Sequence, residues 1–244
     1  MTAGYIFDYG GTLDTGGQHW GMAIWHAYER HHVPVTEAQF REAYVHAERT
    51  LGRNPIIRPS DTFRQTLETK LRLQLEYLCG KWKVEGGMRY VEAIVDDLYE
   101  RTKAVTAQSR RVLQALKDRG LPMVLVSNFY GNMSVVLREF GFDGLFQAVI
   151  ESAVVGIRKP DPRIFRLGVE ALGLKPEEVT VVGDSLEKDI IPAREAGCQT
   201  VWLCGEGWEK QESIDRSQET GDDTLKTIGS LDELLKMIEK KYTT

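Results

Sequence analysis

Beyond about residue 105 the chain alternates short apolar runs with amphipathic helical stretches, and that alternation leaves few architectures open. A helical pattern carrying Val112, Leu113 and Leu116 stops at Gly120 and leads into Leu121–Ser127, which is nearly all apolar. Further units follow: a helix near 131–140 before a strand near 147–150, a helix near 161–172 before Val179–Gly183, and a helix near 187–196 before Thr200–Cys204. A short apolar piece near 225–228 precedes a last helix near 230–240. Apolar strands separated by amphipathic helices imply a parallel sheet covered on both faces.

The first hundred or so residues follow a different rule. Gly4–Tyr9 reads as one more buried strand, ended by Gly10 and Gly11. From about 17 to 102 only helical periodicity appears, with Trp20, Ile24 and Tyr28 at four-residue spacing. Thr36 with Gln39 forms a capping box ahead of Phe40, Tyr44 and Leu51. Asp61 stands where it can cap a third helix, bearing Phe63, Leu67, Leu71, Leu75 and Leu78, and Val91, Ile94 and Leu98 mark a fourth. The expected fold is therefore α/β: a Rossmann-like, doubly wound parallel sheet core from residues 1–15 and 105–244, with an all-helical cap domain inserted at 16–104. Residues 205–224 are polar and contain Gly205, Gly207 and Gly221, which predicts a long loop.

Charge narrows the partners. With 31 Lys and Arg against 36 Asp and Glu the net charge is −5, which offers no field for nucleic acid or an anionic membrane. An anionic ligand must be held by a local site. No basic leader with an apolar run is visible, no run approaches eighteen apolar residues, and Cys79, Cys198 and Cys204 sit in no C-x-x-C pair. These features predict a cytoplasmic protein; a monomer or homodimer is the expectation for its assembly.

In an open parallel sheet, ligands bind beyond the carboxyl ends of the strands. There the first strand presents Asp8, the strand ending at 127 presents Ser127 and Asn128, and the strand ending at 183 presents Asp184, with Asp189 five residues on. Lys159-Pro160-Asp161 precedes a helix between them. Each has a plainer reading taken singly: Asp8 as a turn residue, Asp184 as a helix cap, Ser127-Asn128 as a helix start, Lys159 as a solvated loop lysine, Asp189 as a loop brace. Together, Asp8-Tyr-Gly-Gly-Thr-Leu-Asp14, Val-Ser127-Asn128, Arg158-Lys159-Pro160-Asp161-Pro162 and Gly183-Asp184-Ser-Leu-Glu-Lys-Asp189 resemble, in order, the four motifs of the haloacid dehalogenase (HAD) superfamily. The resemblance covers about 1–15 and 105–235, and the inserted bundle is similar in position and class to a type 1 cap.

That resemblance implies a Mg²⁺-dependent phosphohydrolase of small phosphorylated substrates. Asp8 would be the nucleophile and a metal ligand, with Asp184 and the main-chain carbonyl of Gly10 as further ligands. Lys159 would offset charge, and Ser127, Asn128 and the main chain at Gly11 would hold the phosphoryl oxygens. Asp189 would accept from metal-bound water. The chemistry agrees: an anionic nucleophile and an anionic ester need a hard cation between them, and carboxylate oxygens suit one. One position departs from the phosphatase pattern. Two residues after the nucleophile that pattern has a second Asp for proton transfer, and here stands Gly10. Asp14 or His19 could replace it, although Asp14 could equally just begin the connection to the cap.

Gly10 keeps three alternatives open: a non-catalytic relative that binds a phosphorylated ligand, a phosphonatase-like hydrolase, and a dehalogenase-like one. A phosphonatase needs a cap lysine, and none precedes Lys70; the Gly183-Asp184 pair speaks against dehalogenation. His19, His26, His31, His32 and His46 all fall in the cap without H-E-x-x-H spacing and read as ordinary bundle histidines. Arg49, Arg53, Arg58 and Arg64 could meet an anion, with a solvated face as the plainer reading, and Trp20 and Trp25 read as bundle core.

Overall fold

A computed structural model describes residues 2–208 and 225–242. Its six strands are β1 (Gly4–Phe7), β2 (Met123–Ser127), β3 (Ala148–Glu151), β4 (Val179–Gly183), β5 (Gln199–Leu203) and β6 (Lys226–Ile228). They form one parallel sheet in the order β3-β2-β1-β4-β5-β6. β1 lies at its centre, all four residues buried, paired with β2 at Phe7↔Leu125 and with β4 at Phe7↔Val182. Alternation splits the apolar side chains between two cores. Tyr5, Phe7, Leu125 and Val182 face one, while Ile6, Val124, Val126 and Val181 face the other, against Ile164, Phe165 and Val169.

The helices are α1 (Trp20–Arg30), α2 (Glu37–Arg53), α3 (Phe63–Trp82), α4 (Val91–Asp118), α5 (Met133–Glu139), α6 (Ser152–Val155), α7 (Arg163–Leu172), α8 (Ile191–Glu195) and α9 (Leu231–Tyr242). α1, α2, α3 and the first part of α4 make the bundle inserted after β1. The Thr36–Gln39 capping box opens α2 as the sequence predicts. At α3 the cap is Thr62, in a second capping box with Gln65, rather than Asp61, whose Oδ2 accepts from the Arg58 N–H instead.

The helical patterns read separately on either side of residue 105 are continuous. The pattern from Val91 and the pattern through Leu116 are one 28-residue helix, α4, which leaves the bundle and continues beside the sheet. The sequence contains no Gly or Pro between 91 and 118. What interrupts the apolar periodicity is Thr102, Thr106 and Ser109, and all three are buried. Thr106 Oγ1 donates to the Thr102 carbonyl within the helix, and Ser109 Oγ donates to the Leu13 carbonyl at 2.8 Å, tying α4 to the turn after β1. A single apolar cluster consequently runs from Tyr28, Phe40 and Leu71 in the bundle to Leu113, Phe7 and Val182 at the sheet. Of the loop predicted at 205–224, residues 209–224 lie outside the described residues.

Candidate active site

β1 ends one residue before Asp8, β2 ends on Ser127, and β4 ends one residue before Asp184. Because the three strands are adjacent and parallel, their carboxyl ends put these side chains at one rim of the sheet, where the strand order reverses. They line one wall of a cavity of about 600 Å³ whose other wall is the helical bundle. Every site residue read from the sequence except Gly11 lines it, including Gly10, Asp14, His19, Asn128, Lys159 and Asp189.

Lys159 organises the floor. Its Nζ lies 2.5 Å from Asp8 Oδ1 and 2.6 Å from Asp189 Oδ1, and the lysine and Asp189 side chains are each only 2% exposed. Asn128 fixes the lysine's backbone by a reciprocal pair, its Nδ2 donating to the Lys159 carbonyl at 3.0 Å and its Oδ1 accepting the Lys159 N–H at 2.9 Å. Asp189 Oδ2 accepts the Ser185 N–H. The Thr12 hydroxyl lies 3.0 Å from both Asp8 Oδ2 and Asp184 Oδ1, so its one proton serves either carboxylate in turn. Thr12 stands inside the first sequence motif, but nothing in the sequence alone says that it bridges two carboxylates.

The floor carries an acid excess. Asp8, Asp184 and Asp189 each offer an oxygen, and these oxygens lie within 4.8 Å of one another around a single ammonium. Burial pushes the Asp8 carboxyl up to about 6, against the pull of Lys159. Burial together with Asp8 and Asp189 pushes Asp184 well above the usual carboxylate range. Like charges packed in low dielectric raise each other in this way unless a cation joins them. The donors are hard oxygens suited to a divalent cation, so the residues present fit one.

The two glycines of the first motif differ sharply. Gly11 has φ of +103°, and a Cβ there would sit 2.4 Å from an Asp184 oxygen, so only glycine allows the turn and the close approach. Gly10 is exposed and lies outside the left-handed region, and a Cβ there would meet only Trp20 Cδ1 at 3.9 Å. Asp14 is buried just behind, its Oδ1 accepting the Gly11 N–H at 2.8 Å and its Oδ2 accepting the Trp20 indole N–H at 2.9 Å. Burial raises its carboxyl to about 7. Trp20 is thus not simply bundle core as the sequence suggests: it packs on Phe63 and also lines the cavity.

His19 caps α1. Its Nδ1 accepts the Gly21 N–H at 3.0 Å, which places the ring proton on Nε2, and burial lowers its pKa to about 4. Across the cavity Lys70 of α3 lies 2.7 Å from Glu48 of α2 and 5.5 Å from the Tyr130 ring centroid. Tyr130 itself donates to Glu48 at 3.2 Å. Burial alone would lower the Lys70 ammonium, but the Glu48 carboxylate outweighs it and holds the group well above its ordinary value. Lys70, Glu48 and Tyr130 come from three separate elements, and no local sequence pattern unites them.

The description haloacid dehalogenase-like hydrolase matches residues 2–197, about four-fifths of the chain. The chain belongs to the haloacid dehalogenase-like hydrolase family. Among its HAD relatives, glyceraldehyde 3-phosphate phosphatase of Pyrococcus furiosus is 31% identical over 172 residues, covering 70% of this chain and 67% of that protein. Phosphoserine phosphatase of Thermus thermophilus is 39% identical over 107 residues, which span 43% of this chain and only 40% of that protein. Of the solved HAD-fold structures, a dehalogenase aligns with a TM-score of 0.61 at 18% identity over 97% of this chain and 96% of the other. A predicted phosphoglycolate phosphatase of Haemophilus somnus aligns with a TM-score of 0.57 at 21% identity, covering 97% and 98%. No described helix is long and apolar enough to cross a membrane.

Proposed function

We propose that this protein is a Mg²⁺-dependent phosphohydrolase of small phosphorylated metabolites, with Asp8 as nucleophile and Asp14 as the acid–base group in place of the residue that Gly10 lacks. The observation that carries the reading is the group of buried Asp8 and Asp189 and half-buried Asp184 around Lys159 at the carboxyl ends of β1 and β4. The relatives named as phosphatases support it. Asp8, Asp184 and the Gly10 carbonyl would hold the metal, with Asp189 bracing from behind through Lys159. When bound, the ion screens nucleophile from ester and polarises the phosphoryl oxygens.

The protein's own groups do the rest. An Asp8 carboxylate oxygen attacks phosphorus, the ester P–O bond breaks, and an aspartyl phosphate forms. Lys159, Ser127 and the main-chain N–H of Asn128 offset the charge on the phosphoryl oxygens; the Gly11 N–H, expected from the sequence to join them, is instead taken by Asp14. The leaving alkoxide takes the Asp14 proton. In the second step Asp14 accepts a proton from the attacking water, and Asp8 is released with inorganic phosphate. A carboxyl at about 7 is suited to giving and taking a proton near neutrality. His19, at about 4, is neutral there and does not serve as the acid. Lys70, held protonated by Glu48, lacks the free amine that a phosphonatase-like Schiff base requires.

Gly10 favours one second reading, a relative that binds a phosphorylated ligand without turnover. The test is leaving-group release from para-nitrophenyl phosphate with Mg²⁺ and with chelator. At least one equivalent per protein with Mg²⁺ and none with chelator is expected. Tight Mg²⁺-dependent binding without any release would establish the binding reading, and turnover of a 2-haloacid that survives chelation would establish dehalogenation.

A further inference from the structure

Phosphoryl chemistry uses only the floor of the cavity, yet three more cations border its mouth. Arg53 closes α2, Arg158 precedes Lys159, and Lys188 follows β4; all three line the cavity, are exposed, and have no acidic partner among the described residues. They arrive from different parts of the chain and border the gap between core and bundle. A Cβ on Gly52 would lie 4.0 Å from an Arg158 guanidinium nitrogen, so this core arginine reaches the end of α2 beside Arg53. Lys188 lies near enough to His19 and Glu48 to act on both electrostatically. Deeper in the same wall, Lys70 presents a buried ammonium with one carboxylate partner.

Elsewhere on the bundle many cations are paired, although Arg49, Lys83 and Arg89 also lack an acid within ion-pair distance among the described residues. Arg30, Arg41, Arg64, Arg72 and Lys81 are each matched to an acid. What sets Arg53, Arg158 and Lys188 apart is their place: they border one cavity whose carboxylates Asp8, Asp184 and Asp189 are gathered on its floor. A buried ammonium inside a ligand cavity is also costly, because a well-packed apolar residue at such a site is often as stable or more so. Guanidinium groups are suited to bidentate pairing with carboxylate or phosphate.

We propose that the phosphate ester accepted here carries a second anionic group, a carboxylate or another phosphate, met by Arg53 and Arg158 at the mouth and by Lys188 and Lys70 beside it. This rests on the phosphohydrolase reading and assigns its substrate class. The phosphoryl group to be removed enters at Asp8, and the second anion remains on the mouth side. An ester with a neutral far end leaves the arginines solvated and gains nothing from them.

The experiment compares kcat/KM for glycerol 3-phosphate, 3-phosphoglycerate and 1,3-propanediol bisphosphate, with para-nitrophenyl phosphate as reference. At least one of the two doubly anionic esters should exceed glycerol 3-phosphate about tenfold or more, as expected for one or two charge-assisted contacts. Which one leads distinguishes carboxylate from phosphate. Arg53→Gln with Arg158→Gln should erase that advantage, mainly through KM; both side chains are exposed, so the fold is preserved. Arg49→Gln, away from the cavity, should leave the advantage intact. Calorimetric binding to the Asp8→Asn protein should show the same order without turnover. Aryl phosphate turnover with equal rates and affinities for all three alkyl esters would overturn the subsite alone. The same binding order with no turnover of anything by the unsubstituted protein would overturn the phosphohydrolase reading and keep the subsite. An advantage that survives the double arginine substitution would also overturn the subsite.

Discussion

The core floor of the cavity and its helical roof each bury one lysine, and the two are held differently. Lys159 lies between two carboxylates from different segments, and its backbone is pinned by Asn128 at the end of β2. Lys70 has one carboxylate, Glu48, on a neighbouring helix, and Tyr130 joins that carboxylate to the core by one hydrogen bond. The floor is fixed from several directions by a central sheet, as expected where charge must be aligned to within a fraction of an ångström. The roof is assembled from helix surfaces that can change independently of that alignment. Substitutions in the floor should therefore act on the chemical step, and substitutions in the roof on ligand choice.

The sharpest test of this division is Asp8→Asn, expected to lower turnover of aryl phosphate by about a thousandfold or more with the circular dichroism spectrum unchanged. A residual rate above a tenth of the original would mean that the floor does not contain the nucleophile. Lys159→Met should follow, with kcat down about a hundredfold or more. It should also lower thermal stability, since breaking a buried pair costs about 3–5 kcal/mol. Lys70→Met should instead raise KM and spare kcat by comparison; equal losses of kcat at the two lysines would erase the distinction.

Two smaller effects concern the acid–base position. With its carboxyl raised to about 7, Asp14 is protonated below that pH and ionised above it. If it donates the proton, kcat on alkyl phosphates should fall about tenfold per pH unit above 7, while aryl phosphates, which need no acid, should not follow. Asp14→Asn should lower alkyl turnover by about a hundredfold and remove that limb; a limb that persists would assign the proton to another group. Gly10→Asp, at an exposed position of ordinary backbone with only Trp20 nearby, should fold and raise alkyl phosphate turnover by at most ~100-fold. Gly11→Ala, by contrast, should not fold normally, because its Cβ would overlap Asp184.

Legibility followed the same division. Asp8, Asn128 and Asp184 could be read from the sequence because parallel strands deliver their carboxyl ends to one place; Lys159, in the loop before α7, could be read only through its motif. Lys70, Glu48 and Tyr130 could not, since their meeting depends on how two helices and a loop pack. Arg53 illustrates the limit: a run of arginines on a helix does not say which one reaches an edge. Thr102, Thr106 and Ser109 hid the continuity of α4, because these buried hydroxyls, two of them satisfied by helix and turn carbonyls, interrupt the apolar periodicity.

The continuity of α4 makes the two chain crossings between bundle and sheet mechanically unequal. One passes through a short irregular stretch in which Gly16 and Gly17 both take positive φ; the other is an unbroken rod of 28 residues, about 42 Å long. Any opening of the roof is then a swing about a stiff post rather than a parting of two flexible tethers. α1 and α3 pack directly on that post, while α2 packs chiefly on α3 and stands outermost. Of the residues assigned to choosing the ligand, α2 carries Arg53, α3 carries Lys70, and Arg158 and Lys188 stand on the sheet side, so the second anion would bridge post-borne and sheet-borne parts.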